Sequence, residues 1–175
     1  MQVLLLSNNK IRTLQSTDLL GLNSLKKLYL DGNPISIIAH DAIPNSDATL
    51  FHLSISLATT AHEKIENLIP RDGLSNLKSL LVTNSKISIR NLDGIDFPYG
   101  ITLDFYGIEQ CTLHDSNIDV LPDAQAVSLA NNNLTKVPEA LQSNQIRILD
   151  LSNNKIQEVT RYHLENLESL EELYL

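Results

Sequence analysis

One cysteine, Cys111, stands in 175 residues. A single thiol can form neither an internal disulfide nor a thiolate metal cluster. Taken alone, it fits a reducing compartment. No apolar run approaches the ~18 residues that a membrane span needs, so this segment is not expected to insert into a bilayer. Basic residues are few and scattered, 13 against 21 acidic, for a formal charge of −8. Proteins that grip phosphate backbones cluster their Lys and Arg. Nucleic acid and anionic membrane surfaces are therefore poor partners, and the negative balance serves solubility. There is no Gly-rich phosphate loop and no carboxylate pair at a catalytic spacing. The expectation is no enzyme activity and no cofactor. Met1 runs straight into Gln2-Val3-Leu4-Leu5-Leu6, without a basic n-region or a small-residue cleavage site, so no signal peptide is read there.

What the chain does have is a repeat. In Met1-Gln2-Val3-Leu4-Leu5-Leu6-Ser7-Asn8-Asn9-Lys10-Ile11, apolar residues fall at positions 1, 4, 6 and 11, with Asn at 9. On moving 24 residues along, Leu25, Leu28, Leu30, Asn33 and Ile35 fill the same slots. Leu14, Leu19 and Leu22 complete the first unit. Further copies run through Leu77, Leu80, Val82, Ser85 and Ile87, through Ala124, Val127, Leu129, Asn132 and Leu134, and through Ile146, Leu149, Leu151, Asn154 and Ile156. Leu50, Leu53 and Ile55 begin a weaker copy, where Ala58 fits the Asn slot poorly, and Leu170, Leu173 and Leu175 start a last one. Between Leu80 and Val127 lie 47 residues, room for one more strand. Ile101 and Leu103 are its expected inward residues, with Tyr106 at the Asn slot and Ile108 after it. A strand through Cys111 and Leu113 would leave too short a following coil.

The pattern LxxLxLxxNxL carried by these copies resembles the leucine-rich repeat family, and the 24-residue spacing with Leu14, Leu19 and Leu22 resembles its typical subtype. That resemblance covers nearly the whole chain. It implies an α/β solenoid, a right-handed horseshoe with a parallel sheet on the concave face and irregular segments and short helical turns on the convex side. It also implies a protein partner, and a place in extracellular or cell-surface proteins such as innate immune or adhesion receptors.

The residues give a physical reason for that shape. Positions 4 and 6 point to one side of a strand, and positions 3, 5 and 7 to the other. Stacked copies bury a continuous row of leucines. An Asn side chain both donates and accepts, so Asn9, Asn33, Asn132 and Asn154 can satisfy backbone groups left inside each turn and form a ladder. Ser85, Ala58 and Tyr106 would interrupt that ladder, so looser coils are expected over about residues 55–120. Residues 1–175 are expected to form one domain of about seven repeats plus a truncated eighth. From the open strand at each end, the chain is expected to be a segment of a longer one and, isolated, to self-associate through exposed leucines.

Binding should use the outward positions. These are Val3 and Leu5, Lys27 and Tyr29, His52 and Ser54, Ser79 and Leu81, Gly100 and Thr102, Ala126 and Ser128, and Ile148 and Asp150. The partner surface is assigned to Leu5, Lys27, Tyr29, Phe51, His52, Leu81, Thr102, Ser128 and Asp150, since aromatic and exposed apolar groups favour binding hot spots. His114-Asp115-Ser116 assembles triad residue types, but neighbours in sequence do not make a triad. Cys111 and His114 are half a zinc site without a second pair, and Cys111 is expected to be a buried thiol. His40, His62 and His163 are read as isolated and solvated. Asn133-Leu134-Thr135 is an N-glycosylation triplet that matters only for a secreted protein. Glu63–Leu68 and Glu165–Leu170 are expected as short helical turns with solvated charges. The function expected is a non-catalytic scaffold. The alternatives are a targeting segment of a larger kinase, phosphatase or ubiquitin ligase, or an intracellular adaptor, for which the lone cysteine and the absent signal peptide would place the chain in the cytoplasm.

Overall fold

The computed structural model describes residues 1–39, 42–43, 49–57, 76–83, 98–106, 124–138, 141 and 145–175. Eight short strands follow one another up a single parallel sheet: β1 (Val3–Leu5), β3 (Lys27–Ile35), β5 (His52–Leu57), β6 (Ser79–Thr83), β7 (Ile101–Tyr106), β8 (Ala124–Ser128), β9 (Ile148–Asp150) and β10 (Glu172–Tyr174). Each pairs with the strand of the neighbouring coil. The fold is a parallel-sheet solenoid. Two further strands, β2 (Thr13–Leu14) and β4 (Ile37–Ile38), pair as a small parallel sheet on the return side.

Alternation decides what each strand buries. Leu4, Leu28, Leu53, Leu80, Leu103, Val127, Leu149 and Leu173 stand in register along the sheet. From Leu28 to Leu149 they are buried. Leu14, Leu19, Ile35, Ile38 and Ile43 close the same core from the return segments. Full burial of one such side chain contributes roughly 1.5–3 kcal/mol, and stacking the coils makes the core continuous. Register neighbours are 24 residues apart in three of the seven steps and otherwise range from 22 to 27, as the pairs Leu4–Leu28, Val127–Leu149 and Leu53–Leu80 illustrate.

The strand between Leu80 and Val127 lies where expected, but its frame is displaced by two residues. Leu103 pairs with Leu80 and Val127, and Phe105 pairs with Val82. Leu103 and Phe105 therefore hold positions 4 and 6. Ile101, expected at position 4, instead pairs with Ala124 ahead of a register shift. The cause is a run of three alternating apolar residues, Ile101, Leu103 and Phe105, all fully buried. Any adjacent two of them satisfy the inward pattern. The Asn slot of this coil consequently falls at residue 108 and not at Tyr106. Residue 108, Ala58, Ser85, Cys111, His114, Asp115, Ser116, His40, His62 and the run Glu63–Leu68 lie outside the described residues, as does most of the stretch where looser coils are expected.

One helical turn, α1 (Arg161–Leu164), precedes the expected turn at Glu165–Leu170. His163 is not a free solvated ring there. It is half-buried, and its Nδ1 accepts the Thr160 amide at 3.0 Å, satisfying one of the amides that a helix start leaves unpaired.

Candidate functional site on the open face of the sheet

The turn after each strand sets where the open face stops. Position 8 is left-handed in each of four coils: Asn8 (φ 57), Gly32 (φ 70), Asn131 (φ 56) and Asn153 (φ 55). Asn and Gly tolerate that region best. Gly32 is also held by space, since a Cβ there would collide with the Asn8 side chain.

Position 9 follows and turns inward. The Asn33 side-chain amide donates to Leu6 O at 2.7 Å and Leu30 O at 2.9 Å, while its Oδ1 accepts the Ile11 amide at 3.1 Å. Asn154 repeats this with Leu129 O and Leu151 O, both at 2.8 Å, and with the Leu134 amide at 3.0 Å. Asn132 donates to Phe105 O at 2.8 Å and Leu129 O at 2.7 Å. Each thus joins its own position-6 carbonyl to that of the preceding coil. Asn9, in the first coil, is exposed and bonds only within its own turn, to Leu6 O and Ser7 O.

Positions 3 and 5 remain facing outward, and their chemistry divides the face in two. Over β3, β5 and β6 it is aromatic and cationic. The Tyr29 and His52 rings meet at a tilt of 42° with centroids 4.7 Å apart, and the Lys27 ammonium lies 5.5 Å from the Phe51 centroid. Both geometries are favourable. His52 Nδ1 meets Ser79 Oγ at 3.0 Å, whereas its Nε2 is buried without a hydrogen-bond partner among the described residues. Burial, reinforced by the Lys27 charge and opposed by Asp31, holds the His52 pKa below 6.5. Lys27, Tyr29, Phe51, His52 and Leu81 are half-buried, and Leu5 stands 70% exposed at the β1 edge.

Ser54, on the same outward row, is fully buried. Its hydroxyl donates to Asp31 Oδ1 at 2.7 Å, which also takes the Ser7 hydroxyl at 2.8 Å. Burial pushes the Asp31 carboxyl upward, but Ser54, Ser7, a backbone amide and the His52 charge together outweigh it and hold the pKa below 3.8. Asp31 anchors this half of the face from position 7.

From β7 onward the face is acidic. Thr102 is exposed, and Ser128 and Asp150 are half-buried. Between Leu81 and Ser128 stands Asp104, a residue that the displaced frame conceals. Burial is the main cause lifting its pKa above 3.8. A Ser128 hydrogen bond opposes the rise, and the Asp150 charge adds to it. Asp150 Oδ1 accepts the Ser152 amide at 2.9 Å. Glu172 and Tyr174 extend the acidic rows onto β10, with the Tyr174 hydroxyl donating to Glu172 at 2.6 Å. No Lys or Arg occupies position 3 or 5 of β7 to β10.

The structure sets Lys27, Tyr29, His52 and Leu81 on the adjacent strands β3, β5 and β6, with Phe51 immediately before β5 and against Lys27. It places Thr102, Ser128 and Asp150 on the acidic half, and Leu5 at the edge. Asp31, Asp104, Glu172 and Tyr174 were absent from the expected surface. Two signals in the sequence lead to Asp104. The spacings from Leu80 to Leu103 and from Leu103 to Val127 are 23 and 24 residues, and Gly107 then falls at the position that takes Asn or Gly elsewhere. Among the described residues no group of three or more His, Cys, Asp or Glu side chains could hold a metal ion, and no helix is long and apolar enough to cross a membrane.

An open-faced parallel solenoid is a protein-interaction scaffold in architecture. Residues 122–175 match the leucine rich repeat family, and the same parallel sheet runs back from them to Val3. Over 156 residues the chain is 28% identical to asporin of Bos taurus, covering 87% of this chain and 40% of asporin. Over 167 residues it is 24% identical to transforming growth factor beta activator LRRC33 of Danio rerio, covering 90% of this chain and 20% of that protein. The chain therefore spans less than half the length of either relative.

Proposed function

We propose that this chain is the non-catalytic recognition segment of an extracellular or cell-surface protein, binding a protein partner across the open face. The observation that carries the reading is the cluster on β3, β5 and β6. Two aromatic rings, an imidazole and an ammonium are held half-buried and side by side by a fixed sheet. Such groups lose little further freedom when covered, and Tyr is frequent among binding hot spots. The acidic rows from Asp104 to Glu172 would orient the partner, favouring one that carries basic residues opposite β7 to β10. The name of one relative joins a growth factor to this kind of scaffold, which supports a secreted signalling protein as the partner class and an extracellular setting. Receptor roles in adhesion or innate immunity fall within the same reading.

The test is capture from conditioned medium and from cell extract with the full chain, using Tyr29→Ala/Leu81→Ala beside the unaltered protein. Loss of one hot spot costs about 2 kcal/mol, roughly 30-fold in affinity. A partner from the medium that binds the unaltered chain and is lost with the folded double variant is the expected result. A partner retained equally by both would remove the site from this face.

A further inference from the structure

We infer that Asn133 is an N-glycan acceptor. The inference rests on the extracellular part of the proposed function and adds a modification that the binding face does not require. Asn133-Leu134-Thr135 is the sole Asn-X-Ser/Thr triplet in a chain rich in asparagine. By sequence alone one such triplet is unremarkable, and its placement in the fold is what selects it. Asn131 turns the chain in a left-handed conformation, and Asn132 is buried as a rung of the ladder. Asn133 is the next residue and is exposed, at the position that Lys10, Pro34 and Lys155 occupy in other coils, all likewise exposed. Leu134 dips into the core with its amide bound to Asn154 Oδ1, and Thr135 emerges exposed again. The acceptor amide and the recognition hydroxyl therefore both face solvent, on a segment free of helix and strand. Surface loops are where such acceptors are used.

The reaction needs a lipid-linked oligosaccharide, a polyprenyl diphosphate sugar, and the transferase of the secretory pathway. The Asn133 Nδ2 bonds to the anomeric carbon. The carbon–oxygen bond to the diphosphate breaks, the amide nitrogen gives up one proton, and polyprenyl diphosphate leaves. Asn133 lies five residues past Ser128, beyond the turn, so a glycan there rims the strand ends and leaves positions 3 and 5 of the sheet open.

The full 175-residue chain, placed behind a cleavable leader, is translated with endoplasmic-reticulum microsomes, and only the protease-protected population is analysed. That population is lumenal by construction, so a failure here concerns Asn133 and not the compartment or the binding face. The expected result is a single mobility shift, removed by peptide:N-glycosidase, abolished in Asn133→Gln and Thr135→Ala, and kept in Thr135→Ser. A protected chain without the shift, or a shift that persists in Asn133→Gln, overturns the assignment. Whether the chain meets that pathway in its own cells is read separately, by capture of a partner from medium or from extract.

Discussion

At Asp104 and His52 the loss of hydration dominates, and because the two groups carry opposite charge, acid acts on them in opposite senses. The folded His52 has its pKa below 6.5. The unfolded chain binds the extra proton first, so the stability this residue contributes is present above about pH 6.5 and is lost as pH falls through the folded value. His52→Gln should therefore flatten the fall in urea midpoint between neutral pH and about pH 5. An unchanged slope would mean that the ring is as well hydrated folded as unfolded. Asp104 is the converse. Its folded pKa lies above 3.8, so the folded state takes the proton first, and that contribution is present in acid and lost as pH rises through the folded value. Asp104→Asn should match or exceed the unaltered protein in urea midpoint at neutral pH, with the difference narrowing as the pH drops into the carboxylate range. A variant clearly weaker at neutral pH would show that the ionised Asp104 is well paired.

Among elements, β7 is the one on which the site depends and where sequence reasoning slipped. Phe105 lies fully inside, one residue beyond Asp104. Phe105→Ala should cost about 3–5 kcal/mol, as large-to-small changes in cores do, measured by urea unfolding. A cost under about 1 kcal/mol would restore the frame with Ile101 at position 4. The ladder offers a parallel test. Asn132→Ala removes a buried donor from Phe105 O and Leu129 O, and leaving such groups unpaired costs about 1–3 kcal/mol. Asn9 bonds only within its own exposed turn, so Asn9→Ala should cost clearly less. The inward rows were legible because stacked leucines at two spacings leave few alternative frames. Position 8 was legible only afterwards, since a doubled Asn looks like one polar turn until its first member proves to be left-handed. The carboxylate of Asp31 and the buried hydroxyl of Ser54 could not be foreseen, because their environment is made by side chains 23 residues apart. Alternation says which way a residue points, not how deeply its neighbours cover it.

Across the whole molecule, strand order in the main sheet is chain order, and each strand is hydrogen-bonded only to its immediate neighbours. Every coil presents nearly the same two surfaces to the coil above and the coil below. Excision of residues 127–148 should therefore join Ala126 to Leu149 and set Leu149 beside Leu103, in the place Val127 now holds. The shortened chain should keep a cooperative unfolding transition, with a lower midpoint in proportion to one lost interface. Collapse into an unfolded chain would mean that the coils are not interchangeable. The same neighbour-only pairing makes length a heritable variable. Unequal crossing-over that gains or loses one whole unit shifts Asp150 relative to Tyr29 by a single strand spacing, about 4.8 Å. A lineage can thus retune the distance between the aromatic and acidic halves of its binding face in fixed steps, without selecting a single new core residue.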